Sequence, residues 1–402
     1  MNASATPSSS SKSAWVVFLA FLRLGLTSFG GPAAHVGYFR TEFVERRRWV
    51  DDATFVDLVA LCQFLPGPST SQVGMAIGLL RAGWRGSIAA WIGFTMPSAL
   101  LLIAFGYGTS RFAGLAQCGV VHGLKVVAVA VIAQAVWGMA KSLCPDRPRA
   151  ALAIVATLLT LVLPSAIGQI GAIAVSAAVG VWFLSAADPV PDNQRLPGGS
   201  RLAGTIALVA LMVLLAGLFI WQGSGAQLPV LLAGFARAGA MVFGGGHVVL
   251  PLLQSVVVPS GAISNADFLA GYGAAQAVPG PLFTFAAYLG TVMSTSLHGW
   301  LGGLVFLVAI FLPAYLLILG VLPFWDGLRQ HAKVRAAMAG VNAGVVGILL
   351  SALYDPVWVT AIRSRADFGL ALAAFGLLVY GRASPLVVVA LTALGGGMLA
   401  QV

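Results

Sequence analysis

Arg23 and Arg237 are the side chains in this sequence best placed to act on a solute. Each stands about nine residues into an apolar segment, one or two turns ahead of a glycine block. A charge in the middle of a membrane helix costs about 2.5–3.5 kcal/mol on insertion scales. Two such charges at matched positions point to an anion as partner. A guanidinium fork also suits the paired oxygens of a tetrahedral oxyanion. Snorkelling, or pairing with Asp57 or a backbone carbonyl, would account for them without a ligand.

The glycine blocks themselves, Gly30-Gly31-Pro32 and Gly244-Gly245-Gly246, interrupt apolar runs. Proline lacks an amide hydrogen and clashes with the preceding turn, while glycine lets backbone approach closely. Broken backbone inside a bilayer must be buried in protein or line a cavity. Tight helix packing is the alternative use of these glycines. Pro66-Gly67-Pro68 and Pro279-Gly280-Pro281 each sit at the centre of an apolar stretch of about 30 residues. Two half-helices meeting there is the natural reading, the second starting at Pro68 or Pro281, since proline is favoured at the first helical position. The free amides of such a start form an anion site. The donors would be Gly67, Ser69, Thr70, Gly280, Leu282 and Phe283, with Gln63, Gln276 and Thr284 beside them. A kinked hairpin without a ligand is the plainer alternative.

His35 and His247 follow the glycine blocks, and neutral imidazole can relay a proton. Asp57 is a third candidate for that relay, although a lone histidine on an apolar face is more often ordinary structure. Lys125, opposite Asn342 in the repeat described below, is a further candidate charge. Cys62, Cys118 and Cys144 have no metal-ligand spacing, and no metal or cofactor is expected. The chain has no paired-carboxylate site, HExxH, GxSxG or GxxxxGK[ST], so enzymatic chemistry has no support. Any pumping would draw on an ion gradient, the membrane potential or a partner.

The elements that must hold these residues are membrane helices. Of 402 residues 59% are hydrophobic and 8% charged, where a soluble chain carries roughly 25% charged. The mean hydropathy is +0.94. This composition excludes a soluble enzyme, a disordered chain and a nucleic-acid-binding domain. The net charge of +10 therefore marks cytoplasmic loops or an anionic solute. Candidate spans are 14–38, 86–108, 124–142, 150–164, 166–185, 202–222, 228–250, 301–323, 337–354, 366–381 and 384–401. The interrupted stretches 53–81 and 267–297 bring the count to 11–13 membrane elements at about 20 residues per span. The expected organisation is a polar tail (1–13) before a retained first helix, a first repeat (14–185), a linker (186–201) and a second repeat (202–402). Residues 202–222 form an extra helix in that second part, and the repeat proper begins at 228.

The halves are duplicates. FLRLGLTSFGGP (21–32) matches FARAGAMVFGGG (235–246), and ALCQFLPGP (60–68) matches AAQAVPGP (274–281). AGWRG (82–86) then matches HGWLG (298–302), Pro97 pairs with Pro313, and Gly123 with Gly340. Matched loops carry opposite basic content. Arg40, Arg46, Arg47 and Arg48 lie in one, and its counterpart 251–267 has no Lys or Arg. Conversely, 109–122 has only Arg111, whereas 325–336 has Arg329, Lys333 and Arg335. The expected fold is an all-α polytopic membrane protein. Its two homologous repeats are read as inverted, with parallel repeats as the alternative, and with broken or re-entrant half-helices at the FGG and PGP blocks. Inverted repeats place a substrate site at their interface.

The blocks FLRLGLTSFGGPAAHVGYF (21–39) and LCQFLPGPSTSQ (61–72), with their second copies FARAGAMVFGGGHVVLPLL (235–253) and AAQAVPGPLFTFAAYLG (274–290), resemble the chromate ion transporter family, in particular its long two-domain members. The resemblance covers about 18–355. It implies export of chromate across the bacterial inner membrane, hence chromate resistance, with sulfate as a close analogue and inverted halves. Chromate and sulfate are both tetrahedral dianions, and no residue here separates them. The expected partners are the anion and the lipid bilayer, with no nucleic acid; a homodimer is left open. Sulfate import or exchange, or a non-transporting membrane scaffold, are the rival readings.

Overall fold

In a bilayer every backbone amide and carbonyl must find a partner within the protein, which favours helix throughout. The computed structural model describes residues 13–29, 31–111, 119–163, 166–184, 200–223, 225–243, 246–328 and 330–399, and every regular element among them is helical. The linker and polar tail expected from sequence fall almost wholly outside the described residues. Several helix starts are capped as their sequences dictate. Asp51, Asp146 and Ser264 each accept a backbone amide three residues on, the bond that satisfies an orphan donor of the first turn.

The first half runs through α1 (Ala14–Thr27), α2 (Gly31–Arg40) with a π-turn (Thr41–Arg46), and α3 (Asp52–Phe64). It continues through α4 (Ser69–Arg111), α5 (Gly119–Leu143), α6 (Arg147–Val162) and α7 (Ala166–Phe183). α8 (Arg201–Gln222) stands between the halves. The second half repeats the order. It comprises α9 (Gln227–Met241), a 3-10 turn (Gly246–Val248) leading into α10 (Val249–Val257), and α11 (Asn265–Ala275). A 3-10 turn (Leu282–Thr284) then leads into α12 (Phe285–Val292), followed by α13 (Gly299–Val321) and α14 (Ala332–Ala352). α15 (Arg365–Val379) and α16 (Pro385–Leu399) close the chain.

Three sequence expectations change. The span expected at 14–38 is interrupted after Thr27 and resumes at Gly31. The span expected at 86–108 is one arm of α4, which bends at Ala82 and at Gly83 (φ 65) into segments 69–81 and 84–111. Gly299 has the same φ of 65 at the matched position, where α13 begins. The helices after the two PGP blocks start past the second proline, at Ser69 and Leu282. Pro281 itself is extended (ψ 135), so it caps the turn from outside.

Five of the described helical stretches are long and apolar enough to cross a membrane: Ser69–Thr109, Gly119–Leu143, Arg201–Gln222, Gly299–Phe324 and Ala332–Ala361. The others are shorter. α3 has 13 residues, about 20 Å of helix at 1.5 Å per residue, against a hydrocarbon core of about 30 Å. α8 packs on α9 and α13 and exposes Leu202, Met212 and Phe219 on its other side. Water penalises such a surface and lipid accepts it.

The two halves interlock through matched contacts. α1 packs on α4, and its counterpart α9 packs on α13. α5 of the first half packs on α15 and α16 of the second, while α14 of the second packs on α6 and α7 of the first. At these crossings Gly123 lies against the Thr392 carbonyl and Gly340 against the Ser176 carbonyl. A side chain at either glycine would strike backbone.

Candidate functional site

The site is built from the PGP tips. Helix α3 ends at Phe64, and the amide of the capping Leu65 still reaches the Leu61 carbonyl at 2.9 Å; Pro66 and Pro68 then have no amides to continue the ladder. Between them Gly67 sits at φ 119, and Gly280 sits at φ 101 in the second half. Only glycine takes such angles without strain. The Gly67 amide donates to the Val242 carbonyl at 2.6 Å, where α9 has just ended. The Gly280 amide donates to the Ser28 carbonyl at 2.9 Å, where α1 has just ended. Each tip is thus pinned to the break of the opposite half. Gln72 secures the first tip, donating through Nε2 to the Pro66 carbonyl at 2.9 Å. In the second, Thr284 Oγ1 donates to the Pro281 carbonyl at 2.7 Å.

A cavity lies where the tips and breaks meet. The first half contributes Gly31, His35, Pro68, Ser69 and Thr70 to its wall. The second contributes Gly246, His247, Ala275, Gln276 and Val278, then Gly280, Pro281, Leu282 and Phe283, with Pro385 from the start of α16. It encloses about 40 Å³, where a single water needs roughly 10–15 Å³. No Asp, Glu, Lys or Arg is among these residues. The first amides of α4, at Ser69 and Thr70, have no carbonyl one turn earlier to receive them, because intrahelical bonding begins with Gln72 donating to Pro68 at 2.9 Å. The wall therefore combines the positive end of a long helix with two hydroxyls, a carboxamide and two imidazoles.

Both imidazoles are anchored on one nitrogen. His35 is fully buried. Its Nε2 donates to the Ser28 carbonyl at 3.1 Å, the same oxygen that receives Gly280. His247 Nδ1 lies 2.7 Å from the hydroxyl of the buried Tyr272.

The structure thus brings many of the residues singled out in the sequence to one cavity: Gly31, Ser69, Thr70, Gln276, Gly280 and Phe283, with Pro68, Pro281, Gly246, His35 and His247. Others lie apart. Arg23 is exposed on α1. Arg237 lines a separate crevice with Gln169 and Ser255, between α9, α10 and α7. Gln63 is exposed at the end of α3, and Asp57 is buried on the same helix. Lys125 is buried on α5, and Thr284 spends its hydroxyl within its own turn. Pro66 and Pro279 are not part of the wall. Gly30, Gly244 and Gly245 lie outside the described residues, as does the side chain of Pro32. The amides of Gly67 and Gly280, expected to face a solute, are consumed by the carbonyls of Val242 and Ser28. Sequence reasoning missed Ser28, Gln72 and Tyr272. Tyr272 stands four residues before Gln276, the residue that caps the end of α11, a spacing of about one helical turn that puts both on one side. Among the described residues no group of three His, Cys, Asp or Glu side chains is arranged to hold a metal.

Comparison with known proteins agrees with the duplication. The family described as chromate transporter matches residues 15–181 and 229–397. A chromate transport protein of Pseudomonas aeruginosa is 29% identical over 376 residues, covering 90% of this chain and 85% of its own. One from Cupriavidus metallidurans is 29% identical over 357 residues, covering 88% and 84%. A probable chromate transport protein of Synechococcus elongatus is 27% identical over 336 residues, covering 83% and 82%. No solved structure matches the chain.

Proposed function

This chain belongs to the chromate transporter family, and from that premise we propose that it exports chromate across the bacterial inner membrane, driven by an ion gradient or the membrane potential. The observation that carries the binding site is the cavity between the halves. Among the described residues its lining has no carboxylate, it receives the free N-terminal end of α4, and its polar lining is Ser69, Thr70, Gln276, His35 and His247. A helix N-terminus with open amides favours an anion, and the absence of carboxylates removes the repulsion that a dianion would meet. The relatives named as chromate transport proteins set the choice of anion. Chromate resistance follows from export. The opposite basic content of matched loops supports an inverted arrangement, with the PGP pairs as re-entrant hairpins whose tips meet inside the membrane.

Sulfate has the same shape and charge, so import or exchange of sulfate is the second reading. The test is chromate accumulation in everted membrane vesicles containing the protein, energised and then uncoupled, with excess sulfate as competitor. Export predicts energised accumulation that collapses on uncoupling. Competition by sulfate places both anions in one site. Absence of energised accumulation, with the protein present in the membrane, overturns export and leaves sulfate import or a scaffold role.

A further inference from the structure

We infer that His35 takes up a proton at Nδ1 when the anion enters the cavity, so that anion and proton occupy the protein together. This inference rests on the reading of the cavity as the anion site. The Ser28 carbonyl can only accept, so His35 Nε2 must carry hydrogen in that bond. In the neutral ring Nδ1 is then a lone pair, and this buried atom of a cavity-lining residue has no hydrogen-bond partner. A lone pair repels an oxyanion; an N–H attracts it. Converting one to the other needs one proton, and Nδ1 is where it binds. The proton comes from water, forms the Nδ1–H bond, and leaves when the anion does.

The groups around His35 make it the site of that proton. α4 packs the Phe94 ring edge-on against the imidazole at 5.3 Å and contributes Ser69 and Thr70 to the wall. The charges on neighbouring elements are engaged elsewhere. Arg40, on the same helix, pairs with Glu45 and Asp52. In the π-turn Glu42 pairs with Arg46 and Arg47. On α4, Arg81 lies over Trp49 and Arg85 over Trp84. Asp57 and Cys62 of α3 are buried, and neither lines the cavity. With the cavity empty, an imidazolium at His35 would be a buried charge with no carboxylate in the wall. With a dianion present it has its counter-charge in place. The other titratable side chain of the wall, His247, needs no extra proton. Its Nδ1 is already engaged, 2.7 Å from the Tyr272 hydroxyl, a group that can donate to a bare nitrogen or accept from a protonated one. One histidine thus has its Nδ1 satisfied and the other has it open, so a dianion travels with one proton.

The test is calorimetric titration of the purified full-length protein with chromate at about pH 8, within the range where histidine chemistry is read. Chromate is a dianion in solution there. Repeating it in two buffers of different ionisation enthalpy counts the protons taken up on binding. The expected result is about one proton per chromate for wild type, with affinity weakening about tenfold per unit rise in pH. His35→Gln is expected to bind more weakly, with uptake near zero. Wild-type binding without proton uptake, or full uptake in His35→Gln, overturns the inference. Should His35→Gln fail to fold or bind, His247→Gln decides: uptake of about one proton must persist there, and its loss with binding intact overturns the assignment. Absence of any chromate binding by wild type would bring down the anion-site reading itself.

Discussion

At the scale of single residues, the cavity is lined by small polar groups and not by the two arginines, and the proposed site predicts that the polar groups bind. Thr70 is 5% exposed and lines the cavity beside the free end of α4, whereas Arg23 is exposed on α1. A hydrogen bond is worth about 0.5–1.5 kcal/mol net. Thr70→Val is therefore expected to raise the chromate Kd about 2–10-fold, and Arg23→Gln to leave it within about twofold. Titration of the purified variants checks both, and a larger loss in Arg23→Gln would return the charge role to α1. Tyr272→Phe removes the partner of His247 Nδ1 and frees the ring to change tautomer. A Kd increase of similar size is expected, measured in the same titration.

At the scale of elements, the PGP tips are determined by backbone geometry. Gly67 at φ 119 and Gly280 at φ 101 hold conformations that cost an L-residue about 1–3 kcal/mol. A Cβ at Gly67 would also crowd Ala314, and one at Gly280 would crowd Ser98. These neighbours stand one residue after the matched prolines Pro97 and Pro313 of α4 and α13. Gly67→Ala and Gly280→Ala are expected to lower the Tm by similar amounts and to weaken chromate binding. Gly83→Asn is the contrast. That glycine also has positive φ, and with ψ −159 it sits where only glycine is free of strain, but nothing lies within 4 Å of an added Cβ. Its cost is expected to be that backbone strain alone, about 1–3 kcal/mol, and so smaller than at the crowded tips. Thermal unfolding in detergent ranks the three variants, and equal losses would show that packing at the tips is unimportant.

At the scale of the whole molecule, neither half holds the cavity alone. The Gly67 and Gly280 amides cross between halves, and α5 and α14 pack on helices of the opposite half. Two chains cut within 186–199 and expressed together are therefore expected to copurify through a tag on one and to bind chromate. Each chain alone is expected to bind none. Chromate binding by an isolated half would contradict a site shared between them. The proposed inverted arrangement makes a separate prediction about sidedness. Cysteines placed singly at Arg48 and Lys333 should be labelled by an impermeant reagent from the same side, and one at Ser260 from the opposite side. Labelling of Arg48→Cys and Ser260→Cys from one side would instead favour parallel repeats.

Much of this was legible from the chain itself. Composition required a membrane protein, and the doubled FGG, PGP and Gly-Trp blocks announced two copies of one unit. The interruption of helices at Gly67 and Gly280 was also readable, because proline's missing amide and glycine's access to positive φ are properties of the residue alone. The tertiary structure decided which groups those interruptions serve. The amides of Gly67 and Gly280 looked like anion donors in sequence, yet Val242 and Ser28 consume them across the interface. Arg23 and Arg237 looked like the charge of the site, yet they stand outside the cavity. His35, a lone histidine on an apolar helix, became a candidate coupling group because Ser28 takes one of its nitrogens and leaves the other open. The two glycine pairings join residues more than 170 positions apart, and they depend on which helix faces meet when the halves interlock. Residue order specifies the backbone tendencies of a segment, but which groups face one another is settled only when the halves pack together.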